Sequence, residues 1–141
     1  MARALRRSKG FSEAQAQFAG PAALSTIFGA FGYRCAFTGV DLRAEAGADP
    51  LGWLLRLAPS GPPMPGNVLP ACADAIYAFE RGHLGIGSRF EFLVALDRID
   101  PEFLERLNPV GRLILPADPA FHPDAALVKA HRDEFVEGFI E

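Results

Sequence analysis

Apolar residues fall in short clusters separated by glycine and proline, and their spacing predicts a mixture of helices and short strands. From Phe11 to Phe31, Phe18, Leu24, Ile27, Phe28 and Phe31 predict a helical segment. Ser12 with Gln15 resembles a capping box at its start, and Gly20-Pro21 divides it in two. In "YRCAFTGV", Tyr33, Cys35 and Phe37 alternate with Arg34 and Ala36, which predicts a short strand ending in a Thr38-Gly39 turn. "WLLRLAP" is bracketed by Pro50 and Pro59 and predicts a second strand. "SGPPMPGN" is too rich in glycine and proline for regular structure and predicts a loop.

A helix is predicted from Val68 to Arg81, with Pro70 in its first turn and Gly82 as its stop. Leu69, Cys72, Ile76 and Phe79 would form its apolar face. "HLGIGSRFEFLVAL" alternates around Gly87-Ser88 and predicts a β-hairpin. Asp100-Pro101 opens a short helix to Leu107, with Asp100 as cap. "GRLILP" predicts a further strand. A last helix opens near His122-Pro123 and carries Leu127, His131, Phe135 and Phe139 at four-residue steps, with Lys129 and Asp133 as an exposed pair. The fold class expected is α+β.

Composition narrows the function classes. A chain of 141 residues, half of them hydrophobic, suits one globular domain. No apolar run reaches membrane-span length, and no apolar stretch of a secretory signal follows the basic start. Cys35 and Cys72 are too few for a disulfide scaffold, so a cytoplasmic location is expected. A net charge of −3 argues against a dedicated, tight DNA binder. The charge is uneven, however: Arg3, Arg6, Arg7 and Lys9 cluster at the start, either as a solvated terminus or as a nucleic-acid contact.

In order along the chain, these segments resemble the HNH endonuclease family in its bacterial restriction-type branch. "YRCAFTG" is similar to that branch's first element through Tyr33, Arg34, Cys35, Thr38 and Gly39. "RLAP" falls where the family has H-I-x-P, matching at Leu57 and Pro59. Asn67 matches the motif asparagine. "CADAIYAFERG" resembles the motif helix through Cys72, Ala78, Phe79, Glu80 and Gly82, and "LVKAHRDEFV" resembles a final helix through Leu127, His131, Arg132 and Phe135. The resemblance covers about residues 31 to 136. It implies a ββα-metal (His-Me finger) core over residues 33–82, after a basic flexible N-terminus (1–10) and a helical segment (11–31). Strands and helices, including the small extra hairpin, would follow over residues 83–141.

The departures bear on the chemistry. The family's general-base histidine falls at Arg56, and arginine stays protonated. Its metal-ligating histidine falls at Ile76, which has no lone pair. The middle asparagine, which orients the hairpin loop and hence the base, is kept as Asn67. Losing a general base alone costs about two to four orders of magnitude in rate.

The candidates to replace these residues are His83, His122, His131, Asp41, Asp49, Asp74 and Glu80, and no pair of them has metal-ligand spacing. His131, on an apolar stripe, reads as a hydrogen-bonded core histidine, His122 as a cap or loop residue, and Asp74 as solvent-facing. Cys35 and Cys72 are half of a four-ligand zinc site and read as small buried residues. Ile76 is expected to close the old metal pocket against Leu55 or the stem of Arg56.

The function expected is therefore an inactive or impaired nuclease-like domain kept for nucleic-acid or protein binding. Its phosphate contacts would be Arg3, Arg6, Arg7, Lys9, Arg34 and Arg56, its DNA binding weak, and no cofactor is expected. The alternatives are an active endonuclease using Mg²⁺, Mn²⁺ or Zn²⁺ through unexpected residues, or a protein-interaction domain. In the last case the 12 phenylalanines would supply an apolar interface or a homo-oligomer contact.

Overall fold

The computed structural model describes residues 21–43 and 50–140. The expected basic terminus, the Ser12 cap and Asp49 lie outside the described residues. The described chain is α+β, with four α-helices and two small antiparallel sheets.

Helix α1 spans Pro21–Ala30 and buries Leu24, Ile27 and Phe28. It is followed by two consecutive positive-φ residues, Gly32 (φ 64°) and Tyr33 (φ 56°). A tyrosine is strained in that region. Here its ring stacks on Phe28 with centroids 5.6 Å apart, and its hydroxyl lies 3.2 Å from Ser25 Oγ.

The strand expected from Tyr33 does not form. Cys35, Ala36 and Phe37 are all buried, so the alternation does not separate two faces. The Cys35 sulfur instead accepts the N–H groups of Phe37 and Thr38, and Gly39 N–H returns to Cys35 C=O at 2.8 Å. The chain folds back after a single bridge between Arg34 and Asp41.

Strands β1 (Leu54–Arg56) and β2 (Val68–Pro70) pair antiparallel with Leu55 opposite Leu69. The helix expected from Val68 therefore begins later: α2 spans Ala73–Glu80, with Cys72 in extended conformation before it. Val68, Leu69 and Pro70 are all buried, and Pro70, which has no N–H to give, uses its carbonyl to accept from Ala36 N at 2.9 Å. Leu69 thus belongs to the sheet. Helix α2 buries Ala75, Ala78 and Phe79 and half-buries Ile76. It stops as expected at Gly82 (φ 76°), with Gly82 N bonded to Phe79 O and His83 N to Ala78 O.

The predicted hairpin is present as β3 (Leu84–Ile86) and β4 (Phe92–Val94). Helix α3 (Pro101–Arg106) follows, with Asp100 accepting from Glu102 N. "GRLILP" is a strap instead of a strand. It makes one bridge, Arg112 with Glu91, and then passes Ile114 N–H to Ala36 O at 2.8 Å. Helix α4 (Ala125–Ile140) is capped by Asp124, and the expected Lys129–Asp133 pair closes at 2.8 Å. A Cβ on Gly85 would sit 3.0 Å from the Phe135 ring, so glycine there lets α4 lie close on β3.

Phe37 joins the two halves of the core, with ring centroids 6.3 Å from Phe79 and 5.9 Å from Phe92. The buried rings of Phe37 and Phe79 each contribute up to about 3 kcal/mol, and Phe92 is partly buried against them. Among the described residues the large exposed hydrophobics are Val40, Tyr77, Leu96, Val110 and Val136, with no phenylalanine among them. No described helix is long and apolar enough to cross a membrane.

Candidate functional site

The β1–β2 connection is long, proline-rich and without a ladder, so its shape depends on side-chain hydrogen bonds. Asn67 supplies them. It is 4% exposed. Its Oδ1 accepts Ala58 N–H at 2.8 Å, and its Nδ2 donates to Pro62 O at 2.9 Å and Ala58 O at 3.2 Å. One amide therefore pins both ends of the turn that follows Arg56. A Cβ on Gly61 would lie 2.8 Å from Asn67 Nδ2, so the loop closes over the amide only with glycine there.

Arg56 ends β1 and points a half-buried guanidinium along this loop, with Nη1 3.4 Å from Gly61 O. It lines a cleft of about 560 Å³. Leu54, Leu57 and Pro59 form one wall, Phe79 and Glu80 of α2 a second, and His131 and Glu134 of α4 a third. Arg56, Glu80 and Glu134 form no ion pair among the described residues. Ile76 is half-buried against the core and is not part of the cleft lining, so the expectation that it closes this pocket is corrected. Phe79, one turn on, occupies the wall instead.

His131 lies flat on Phe79, with centroids 3.8 Å apart and an interplanar angle of 12°. Its Nδ1 is buried without a hydrogen-bond partner, so it is not the hydrogen-bonded core histidine expected. Burial holds its pKa below the ordinary value, with Glu134 pulling the other way. The folded chain therefore binds a proton at His131 less readily than the unfolded chain does. Stability from this group is complete above the unfolded value of 6.5 and is lost as pH falls from there through the lower folded value. His131→Phe is expected to keep the stack and to remove that part of the loss. Paired urea titrations from neutral to mildly acidic pH check it. Arg56, Glu80 and Glu134 share the cleft with His131, so the difference between the two proteins is the quantity to read.

The other candidates are scattered. His122 Nε2 lies 2.7 Å from Pro116 O, and His83 meets Tyr77 edge-on at 6.2 Å. Asp74 is exposed and ion-paired with Arg106, and Asp41 is held by Arg43, whose hydrogen bonds keep its carboxyl well below the usual range. Arg34 is exposed and donates to Gly39 O at 2.9 Å, so part of its guanidinium braces its own turn. Arg3, Arg6, Arg7 and Lys9 lie outside the described residues. Glu134 is a cleft residue that no sequence signal marked, because it sits on a helix face that looks solvated.

No family model matches the chain, and no curated protein matches it. Among solved structures, the chain is similar to one described as a modification-dependent TagI restriction endonuclease. The TM-score is 0.52 at 17% sequence identity, over 82% of this chain and 38% of that one. At that identity the likeness is one of fold, and this chain spans well under half the length of that endonuclease.

Proposed function

We propose that this chain is a nuclease-like module of the HNH, ββα-metal type that has kept the scaffold of its site and lost the chemistry. Its cleft holds a nucleic-acid phosphate on Arg56 without cutting it. The observation that supports this most is the Asn67 amide, which fixes the β1–β2 loop at both ends directly beside Arg56. A loop held that tightly orients whatever side chain stands at position 56. The likeness of fold to a restriction endonuclease supports the same reading.

The side chains at this site do not fit a divalent cation. Arg56 brings a fixed positive charge, and Ile76 has no donor atom. Among the described residues no three His, Cys, Asp or Glu side chains come together as a ligand set. A guanidinium cannot take a proton from water, but it can hold a phosphate through two parallel N–H bonds. Glu80 and Glu134 in the same cleft, and a net charge of −3, make that hold weak and salt-sensitive.

The test pairs plasmid nicking in Mg²⁺, Mn²⁺ and Zn²⁺ with salt titrations of binding to a short duplex. No metal-dependent nicking is expected. Arg56→Ala is expected to weaken binding about equally across sequences and to lower the slope of log K against log salt by about one. Chelator-sensitive cleavage by the native protein, or a slope that ignores position 56, would overturn the proposal.

A further inference from the structure

Neither cysteine lines the Arg56 cleft. Cys35 is fully buried at 0% exposure, and its Sγ accepts three backbone N–H groups: Cys72 at 3.3 Å, and Phe37 and Thr38 at 3.4 Å. The two sulfurs lie 3.7 Å apart and share a hydrogen bond. Such a ring of donors favours negative charge on Cys35. The bond with Cys72 holds the Cys35 thiol well below its ordinary value against the opposing effect of burial, and Thr38 adds to it. The same bond, with burial and the Cys35 charge, pushes the Cys72 thiol up. Cys72 is half-buried and opens onto a groove of about 450 Å³, with Thr38, Asp74 and Arg106 in its walls. The reachable sulfur therefore stands in front of a buried one that is set up as a thiolate.

We propose that Cys35 and Cys72 form a two-electron oxidation site for hydrogen peroxide, closing to a reversible disulfide. The two sulfurs share one proton, and in the minor form that places it on Cys35 the accessible Cys72 sulfur is the thiolate. That sulfur attacks the peroxide: an S–O bond forms, the O–O bond breaks, and hydroxide leaves and takes the proton from Cys35 as water. The Cys35 thiolate then attacks the Cys72 sulfenic sulfur. The S–S bond forms and the second hydroxide departs. Two sulfurs are oxidised and one peroxide is reduced to water and hydroxide. Cys35 is the resolving thiolate, held aimed at Cys72 by its three amides. The bond would tie the turn after α1 to the start of α2.

The test uses the full reduced chain and hydrogen peroxide, followed by denaturation, maleimide labelling, intact-mass measurement and peptide mapping. Both thiols are expected to lose maleimide reactivity together, with loss of the mass of two hydrogens, a Cys35–Cys72 cross-linked peptide, and recovery in dithiothreitol. Cys35→Ser is expected to stop at a sulfenic acid on Cys72 that dimedone traps. Thr38→Val, which removes a hydroxyl beside the pair, is expected to slow closure about three-fold or more while keeping both thiols. The proposal is overturned if the native thiols oxidise independently, or if they go to sulfinic acid without cross-linking. The native-protein arm decides this even where a serine variant fails to fold.

Discussion

Asn67→Ala is expected to destabilise the chain by about 2–4 kcal/mol, read as a lower urea midpoint with an unchanged slope. The substitution removes three hydrogen bonds from a side chain that is 4% exposed. It leaves the Ala58 N–H and two carbonyls to find water in a space closed over by Gly61. An unpaired buried group costs about 1–3 kcal/mol, and the remaining loss is of ordinary net bonds. Asn67→Asp separates polarity from geometry. A carboxylate still accepts from Ala58 N but turns a lone pair toward Ala58 O and Pro62 O, where the amide donated. Burial and those two carbonyls raise its folded pKa above the unfolded value. The variant is therefore most stable at low pH, where the carboxyl is protonated and can donate, and it weakens as pH rises through the folded value. A native-like stability for Asn67→Ala would mean that the loop is held by its prolines, and the case for a preserved site would lose its support.

Elements whose ends are marked by local chemistry were legible in the sequence. Asp100-Pro101 starts α3, Gly82 ends α2, and alternation around Gly87-Ser88 makes the β3–β4 hairpin. Asn67 was also legible as a loop-orienting residue, and the structure gives it three partners for that work. The misread segments are those settled by contacts distant in sequence. Val68–Pro70 shares its helical spacing with α2, but pairing with Leu54–Arg56 takes it into a sheet. The residues after Tyr33 alternate like a strand, yet the Cys35 sulfur captures the amides a ladder would need. "GRLILP" has strand composition but finds a partner at one position only. Periodicity reports which residues are apolar; it does not report what lies opposite them. For the same reason the His131–Phe79 stack and the place of Glu134 in the Arg56 cleft were not legible, since α4 meets the cleft across half the chain.

Arg56→His combined with Ile76→His is expected to recover metal-dependent nicking at least about 100-fold above the native protein, the usual contribution of a placed general base being about 10²–10⁴. Position 76 lies three residues before Phe79 and four before Glu80, both of which line the cleft, so a longer polar side chain there shares their face of α2. The change carries a cost. Ile76 is half-buried against the core, and its replacement is expected to lower stability by about 1–2 kcal/mol in metal-free buffer. A divalent cation at 100 times its dissociation constant would return about 2.7 kcal/mol, so the melting temperature of the double variant should rise with Mn²⁺ while that of the native protein does not. The two readouts divide the outcomes. A melting shift without nicking would mean that position 76 can supply a ligand while position 56 is misplaced for a base. Neither effect would mean that the loop fixed by Asn67 does not present position 56 to the place where position 76 points, and the likeness to a nuclease would then be one of fold without a shared site.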